Sequence, residues 1–250
     1  MTLVLTVATS AFVVQAADRL LTKKYVTIRT HDPIANKTIL YRAEDAVAAI
    51  SYSGLAYREG KPTDEWFAEL LWGGPIPRGE DGAAPPIFRV DVRPNRWTIN
   101  QAIQALRAAI DAIPQAELDL GGMELALTGW RNDGQVGRPF VIEMRRHPKA
   151  AAATVTGTRM RWPHKQDPVP GRIGAWMPRG ALNAAFEPAR AAGALSAVDA
   201  ERILVDLIRK ESARQPTVGP NVISLILPKP GTGPILSRFH PAVPHQADAA

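Results

Sequence analysis

The chain has 250 residues, of which 46% are hydrophobic and 22% are charged, the composition of an ordinary globular protein. It contains no cysteine, which excludes disulfides, thiolate zinc sites and a cysteine nucleophile. No run of eighteen apolar residues is present, so no membrane-spanning helix is expected. The length fits one large domain over 1–240, followed by a flexible tail rich in Pro and Ala at 241–250.

A net charge of +6 permits contact with acidic partners. The densest basic stretch is 145–149, but few aromatic residues accompany it and no nucleic-acid-binding motif is present. We therefore predict a solvated basic face and expect no nucleic-acid partner. The five histidines are scattered without an i, i+4 pair, so no metal and no other cofactor is expected.

The N-terminal residues predict a β-hairpin. Residues 3–8 and 11–17 are apolar runs, and the polar pair Thr9-Ser10 between them can turn the chain. A two-residue loop places residue 17 opposite residue 2, and a three-residue loop places residue 18 there. Either register leaves Asp18 within one pair of Thr2. A further strand is predicted at 37–41, and spacing alone does not place it beside the hairpin.

Two helices are predicted next. The first covers 62–72, with Thr63 as its N-cap and Gly73-Gly74 as its stop. The second is capped by Thr98 and ends before Pro114, with an Ile and Leu stripe at core spacing. The Gly- and Pro-rich residues 73–97 between them predict a surface loop of unknown role.

The remaining chain predicts a second sheet and further helices. The predicted strands are 124–130, 140–146, 154–162, 222–227 and 235–239, and the predicted helices are 180–191 and 196–214. An Asp-Gly pair, Asp133-Gly134, favours a hairpin between the first two of these strands. Ser196 and Asp199 resemble a capping box at the start of the last helix.

Thr2, Asp18 and Lys37 form a set that is chemically sufficient for hydrolysis. A threonine hydroxyl is a weak nucleophile at neutral pH, but a free α-amine on the same residue, with a pKa of about 8, can take its proton. An ammonium such as Lys37 favours the deprotonated forms of that amine and hydroxyl, and Asp18 would hold the lysine charged and oriented. No histidine is then required.

The first fifty-odd residues resemble the proteasome β-subunit and its bacterial relatives, in the N-terminal nucleophile hydrolase superfamily. Thr2 matches the nucleophile of that family, the apolar strand 13–19 ends in Ala-Asp as it does there, and sixteen residues separate Thr2 from Asp18. Asn36-Lys37 resembles the segment that carries the family's catalytic lysine. Residues 51–56 resemble a strand end whose glycine amide, here Gly54, holds the oxyanion.

The resemblance implies a four-layer αββα sandwich with two mainly antiparallel sheets. It also implies a threonine-type amidohydrolase, a peptidase acting on a peptide or other amide substrate after removal of Met1, and a homo-oligomer. The composition favours a cytoplasmic protein without a membrane partner. The late segment 214–219 resembles a family loop that usually carries an aspartate and a serine, but Gln215 and Val218 stand at those positions. Gly180 lies near the expected place of a further supporting serine.

Two other interpretations remain open. Because the supporting residues differ, the chain is alternatively a non-catalytic structural subunit of a ring or other assembly. The apolar residues 1–17 also resemble a secretory signal peptide, although no Lys or Arg precedes Arg19. In that case the chain is a secreted binding module that begins near Ala17 or Asp18, and Thr2 is lost.

Overall fold

The computed structural model describes residues 2–24, 28–32, 35–76, 88–90, 97–118, 122–133, 136–158, 168–178 and 180–242. The elements of the first half are β1 (Leu3–Ala8), β2 (Phe12–Asp18), β3 (Leu21–Lys24), β4 (Ile28–Asp32), β5 (Thr38–Arg42), β6 (Ala46–Ser53), β7 (Tyr57–Arg58), β8 (Lys61–Pro62), α1 (Thr63–Trp72), β9 (Phe88–Val90) and α2 (Ile99–Asp111). The second half contributes β10 (Met123–Asp133), β11 (Val136–Arg146), β12 (Thr154–Thr158), β13 (Val169–Gly174), α3 (Ala181–Ala191), α4 (Ala197–Ser212), β14 (Val222–Pro228) and β15 (Leu236–His240).

Two large sheets dominate the fold. The five-stranded sheet has the order β13-β1-β2-β14-β15 and is antiparallel throughout. The six-stranded sheet has the order β12-β11-β10-β6-β5-β9, and only its β5–β9 pair is parallel. The predicted α/β class with two mainly antiparallel sheets is therefore confirmed.

Both faces of β1 and β2 are buried, which explains why their sequences are almost continuously apolar. Leu3, Leu5 and Val7 pack with residues of α3 and α4 in one apolar cluster. Val4 and Ala8 point the other way and pack against side chains of the six-stranded sheet. The opposite face of the six-stranded sheet packs with α1 and α2 in a third cluster.

A buried polar network fixes how the two sheets face each other. The amide of Gln15, on β2, donates to Thr128 Oγ1 on β10 at 3.2 Å and accepts from Ser51 Oγ on β6 at 2.6 Å. Ser51 also meets Thr38 Oγ1, the first residue of β5, at 2.8 Å. Because buried polar groups need these partners, the network restricts sliding between the sheets. It thereby holds the start of β5 in place beside β2.

The predicted hairpin forms, but neither predicted register is right. Ala8 pairs with Val13 and Val4 with Ala17, so the connection spans the four residues 9–12. The hydroxyl and amide of Thr9 both bond to the carbonyl of Phe12, which closes this longer turn. Asp18 consequently lies beside Leu3 instead of Thr2, and still within one pair of Thr2.

The predicted helices occur close to their expected bounds. Thr98 forms a capping box with Gln101 at the start of α2, and Ser196 accepts from the Asp199 amide at the start of α4, as predicted. The cap predicted for α1 was wrong, because Thr63 is the first helical residue and its hydroxyl donates to the Leu55 carbonyl.

Several features differ from the predictions or extend beyond the described residues. The β3–β4 and β7–β8 hairpins, the parallel strand β9 and the strand β13 were not predicted. Most of 73–97, the end of 154–162 and residues 243–250 of the tail lie outside the described residues. Among the helices of the described part of the chain, none is long and apolar enough to cross a membrane.

Candidate active site

Thr2 directly precedes β1 and is held by its backbone. Its carbonyl accepts a hydrogen bond from the Ala175 amide at 2.7 Å. A Cβ atom at Gly174 would lie 1.7 Å from that carbonyl oxygen, and Gly174 has a φ of +87°, which glycine adopts without strain. Only glycine therefore allows the end of β13 to approach Thr2 so closely.

Lys37 directs its ammonium at the Thr2 side chain. Its Nζ donates to Thr2 Oγ1 at 2.6 Å, lies 3.4 Å from Asp18 Oδ2 and also donates to the Leu20 carbonyl. Neither Lys37 nor Asp18 has any exposed side-chain surface. A buried charge requires a partner of opposite sign and further hydrogen bonds, and Lys37 has both.

Asp18 is satisfied by backbone donors as well as by Lys37. Its Oδ1 accepts from the Leu3 amide at 2.7 Å, and its Oδ2 accepts from the amides of Leu20 at 3.2 Å and Gly219 at 3.0 Å. Together with Lys37 these amides give Asp18 four partners, one on Oδ1 and three on Oδ2. The carboxylate therefore joins the start of β1, the end of β2 and the loop before β14 around one ammonium.

Ser53 and Gly54 complete the surroundings of Thr2. The Thr2 nitrogen lies 3.2 Å from Ser53 Oγ, which donates to the Thr2 carbonyl at 3.2 Å. Gly54 comes next in the chain with a φ of +114°, and a Cβ atom there would lie 2.1 Å from the Gly122 carbonyl oxygen. The sequence-predicted oxyanion residue is thus adjacent to a residue that contacts Thr2, and its role stays a prediction.

The segment that carries Lys37 is held by hydrogen bonds from Arg19 and Tyr52. Arg19 donates to the Ala35 carbonyl at 3.1 Å and to Asn36 Oδ1 at 3.0 Å. The Tyr52 hydroxyl donates to the Asn36 carbonyl at 3.4 Å. Burial, reinforced by the carboxylates of Asp64 and Asp18, raises the pKa of Tyr52 well above its ordinary value, so the phenol remains a donor.

Asp64, in the first turn of α1, is a buried carboxyl near this segment. Its Oδ1 has no hydrogen-bond partner among the described residues, and only 2% of the residue is exposed. Burial raises its pKa from 3.8 to about 7, while Arg19 opposes the rise. Asp64 therefore exchanges a proton near neutral pH, unlike a surface aspartate.

The two departures noted in the sequence, Gln215 and Val218, take part in structural contacts. The side-chain amide of Gln215 donates to the Trp176 carbonyl at 2.6 Å and to Glu211 at 3.0 Å. Val218 is buried in the apolar cluster between the five-stranded sheet and α3 and α4. Gly180 precedes α3 with a φ of +85° and contributes no side chain.

The structure thus gathers Thr2, Asp18 and Lys37 into one buried cluster, and their catalytic role stays a prediction. Sequence reasoning missed Ser53 as a contact of the Thr2 backbone, and it missed the Leu20 carbonyl and the Gly219 amide. Ser53 had a signal in the sequence, because it directly precedes the predicted oxyanion glycine. The backbone groups had none, since any residue type supplies them. Within the described residues, no group of three potential metal ligands comes together.

No family model matches the chain, and no curated protein matches it. Solved structures do match. Anbu from Hyphomicrobium sp. strain MC1 has a TM-score of 0.57 and 12% identity, covering 96% of this chain and 87% of that chain. A helical assembly of the Anbu complex from Pseudomonas aeruginosa has a TM-score of 0.59 and 11% identity, covering 100% of this chain and 88% of that chain. Anbu from Yersinia bercovieri, described as an ancestral β-subunit, has a TM-score of 0.53 and 13% identity, covering 97% of this chain and 89% of that chain.

These matches show that the chain shares the fold of the Anbu structures, one of which is described as an ancestral β-subunit. The particular relatives in fold are Anbu proteins, and at 11 to 13% identity the likeness shows the fold alone. The family assignment made from the sequence, a proteasome β-subunit-like member of the N-terminal nucleophile hydrolase superfamily, was wrong. The likeness in fold to Anbu replaces it. The sequence motifs suggested membership, whereas the comparisons show only a shared fold.

Proposed function

We propose that the chain is a threonine-type amidohydrolase, a peptidase whose Thr2 attacks an amide carbonyl after the bond preceding Thr2 has been cleaved. The observation that carries the proposal is the 2.6 Å hydrogen bond from Lys37 Nζ to Thr2 Oγ1. A buried ammonium at that position favours negative charge on the hydroxyl oxygen. Asp18 keeps the ammonium charged and directs it.

Each bond change then has a partner within the cluster. The Thr2 hydroxyl passes its proton to the α-amine as Oγ1 bonds to the carbonyl carbon, and the resulting ammonium protonates the leaving amine as the C–N bond breaks. Water then adds to the ester carbonyl, giving a proton to the same amine, and the ammonium so formed returns that proton to Oγ1 as the C–Oγ1 bond breaks. The Gly54 amide is proposed to donate to the oxyanion formed in each step.

The first test compares Thr2→Ala with Thr2→Ser in labelling by an electrophilic peptide and in amide hydrolysis. Serine retains a hydroxyl and an α-amine, so Thr2→Ser should remain labelled, whereas Thr2→Ala should not react. Urea unfolding of both variants verifies the fold. Labelling of Thr2→Ala at the wild-type rate would refute the proposal.

The second test is the mass of the purified chain. An α-amine joined to a preceding residue is an amide and has no basic lone pair, so the mechanism requires Thr2 at the N-terminus. Mass spectrometry of the active preparation should show that Met1 has been removed. Full activity of a homogeneous preparation that retains Met1 would contradict the mechanism.

The proposal extends to architecture and assembly. We propose one domain over 1–240 with αββα layering, supported by the packing of helices on the outer face of each sheet. We also propose homo-oligomers, supported by the helical assembly described for the Pseudomonas aeruginosa Anbu complex. Light scattering after gel filtration measures the mass directly, and a monomer at micromolar concentration would contradict the assembly.

The second candidate function is a structural subunit without hydrolytic activity. Gln215 and Val218 favour it, because the first bonds to Trp176 and Glu211 and the second packs in an apolar cluster. Under this alternative, Thr2→Ala leaves assembly unchanged and wild-type Thr2 is not labelled. The same labelling experiment therefore separates the two functions.

A further inference from the structure

The Thr2 nitrogen and carbonyl share one side-chain partner. Ser53 Oγ lies 3.2 Å from the Thr2 nitrogen and 3.2 Å from the Thr2 carbonyl oxygen, and only 2% of Ser53 is exposed. A hydroxyl that donates to the carbonyl still has lone pairs to accept an N–H from the nitrogen. One oxygen thereby restrains both ends of the Thr2 backbone, and with them the direction of an α-amine.

A carboxylate lies next to this contact. Glu124 on β10 pairs with Ser53 on β6, so their side chains share a face of the six-stranded sheet, with Cβ atoms about 5 Å apart. The Oε2 of Glu124 accepts from the Gly174 amide. A Cβ atom on Gly174 would lie 2.8 Å from Ser53 Oγ and 1.7 Å from the Thr2 carbonyl oxygen. The carboxylate is therefore bound to the residue that contacts both Ser53 and Thr2.

We propose that Ser53 and Glu124 are positioning residues for the Thr2 α-amine, Ser53 by orienting it and Glu124 by stabilising its protonated form. The inference rests on the proposed function, since it concerns the amine that takes the hydroxyl proton. When Ser53 accepts one N–H, the nitrogen lone pair is left for the proton of Thr2 Oγ1. The ammonium formed in that step then lies in the field of the Glu124 carboxylate.

Other charges surround the same amine and set the sign of the expected effect. Lys37 disfavours the ammonium, and Asp18 opposes Lys37 from β2. Arg145 on β11 lies 3.6 Å from Glu124 and 2.9 Å from Glu143, which divides its charge between two carboxylates. On β13, Arg172 donates to the Ala175 carbonyl at 2.8 Å. Removing the charge of Glu124 therefore leaves positive charge in excess and lowers the pKa of the amine.

The experiment measures the pKa of the Thr2 α-amine directly, on processed chain labelled with ¹⁵N-threonine, and the pH dependence of kcat/KM. Glu124→Gln should lower the amine pKa by about one pH unit and move the acidic limb of kcat/KM by the same amount. Glu124→Asp, which keeps the charge, should retain most of the wild-type pKa. Glu143→Gln, in the same charge network, is the matched control and should shift the pKa by less than half as much.

Ser53→Ala tests the orienting role. It should lower kcat about tenfold or more with little change in KM, because substrate contacts remain while the amine loses its fixed direction. The double variant, which combines Ser53→Ala with Glu124→Gln, should lose less activity than the two single losses combined. This is expected for residues that act on one group. Urea unfolding and the amine titration report on each variant even when its activity is low.

The outcomes separate this inference from the proposed function. Hydrolysis by Thr2→Ala would refute the proposed function. If Thr2→Ala is inactive while Glu124→Gln leaves the amine pKa and the acidic limb unchanged, the role of Glu124 is refuted and Thr2 chemistry stands. If Ser53→Ala retains the wild-type kcat, the role of Ser53 is refuted in the same way.

Discussion

Two polar clusters that include residues of the five-stranded sheet contain similar chemical groups and use them differently. The first, the Thr2 cluster, consists of Thr2, Asp18 and Lys37. The second, the Ser224 cluster, consists of Ser224, Glu201, His240 and Arg238. In the Ser224 cluster, Ser224 Oγ donates to Glu201 Oε1 at 2.5 Å and lies 3.0 Å from His240 Nε2, and Arg238 binds the other oxygen of Glu201 at 2.6 Å. A serine, a histidine and a carboxylate are thus together, as in many hydrolases.

The position of each hydroxyl in the fold distinguishes the clusters. Ser224 lies within β14, between Ala16 of β2 and Arg238 of β15, and contacts Glu201 of α4. A substrate would have to separate strands and helix to reach it. Thr2 precedes the first strand, its hydroxyl accepts from a cation, and its nitrogen becomes an amine once the preceding bond is cleaved. Similar residue types therefore have different roles. In the Ser224 cluster they join α4 to the edge strand β15, and in the Thr2 cluster they surround a candidate nucleophile.

The sharpest test of this contrast removes each hydroxyl in turn. Thr2→Ala should reduce amide hydrolysis by at least about a thousandfold, because no other group replaces the nucleophile. Ser224→Ala should keep hydrolysis within about twofold and lower the free energy of unfolding by about 1 to 3 kcal/mol, since Glu201 loses a buried donor. Initial rates and urea unfolding measure the two effects. Loss of hydrolysis in Ser224→Ala with an intact fold would show that the Ser224 cluster takes part in hydrolysis.

The next test removes the cation of the Thr2 cluster. Lys37→Met leaves the Asp18 carboxylate buried without its ion-pair partner and should lower the free energy of unfolding by about 3 to 5 kcal/mol. Hydrolysis should be lost as well. The matched change in the Ser224 cluster is Arg238→Met, which should cost about 1 kcal/mol because 40% of the Arg238 side chain is exposed. Equal losses of unfolding free energy in the two variants would show that the Thr2 cluster depends on its cation no more than the Ser224 cluster does.

Asp64 sharpens the contrast in a different way, because one of its oxygens has no partner among the described residues whereas Asp18 and Glu201 are satisfied. Its pKa rises from 3.8 to about 7, so the folded chain holds the proton more tightly than the unfolded chain. Stability is therefore lost as the pH rises between these values, by up to about 4 kcal/mol at about 1.4 kcal/mol per pH unit.

Asparagine at position 64 never ionises, so the stability gained by Asp64→Asn should be near zero at pH 4 and full above pH 7. The measurement is urea unfolding of both chains from pH 4 to 8, and the difference between them removes the contribution of other titrating groups. A pH-independent difference would show that Asp64 titrates normally.

The sequence predicted most of the fold because its elements carry local signals. The capping residues Thr98 and Ser196 and the apolar runs of β1, β2 and β14 placed their elements within a few residues. The hairpin register was missed because the length of its turn depends on the bonds of Thr9 with Phe12, which alternation does not encode. Asp18 was nonetheless expected near Thr2, since each register moves it by only one pair.

The candidate site was predictable only in part. Thr2, Asp18 and Lys37 were named from residue type and family resemblance, whereas the spacing of the chain gave no position for Lys37. That position depends on a network between the two sheets, from Gln15 to Ser51 to Thr38, which sequence does not reveal. The contacts of Asp18 with the amides of Leu3, Leu20 and Gly219 are backbone contacts and leave no trace in residue identity.

The last test asks how closely the Thr2 backbone must be held, using two glycines with nearly the same conformation. Gly174 and Gly231 have φ values of +87° and +82°, but a Cβ atom would meet the Thr2 carbonyl at the first and nothing within 4 Å at the second. Alanine should cost about 1 to 2 kcal/mol of backbone strain at either position. Gly174→Ala should in addition displace Thr2 and lower kcat/KM about a hundredfold, as expected for a shift of about 1 Å at a reacting group.

Comparing the two alanine variants separates strain from displacement. If Gly231→Ala loses stability but keeps hydrolysis, and only Gly174→Ala loses hydrolysis, the close approach of β13 sets the geometry of Thr2. If Gly231→Ala loses hydrolysis to the same extent, backbone strain anywhere in the fold disturbs the Thr2 cluster, and the contact between Gly174 and Thr2 has no special role. Wild-type kcat/KM in Gly174→Ala would mean that Thr2 reacts from a position other than the one that β13 holds.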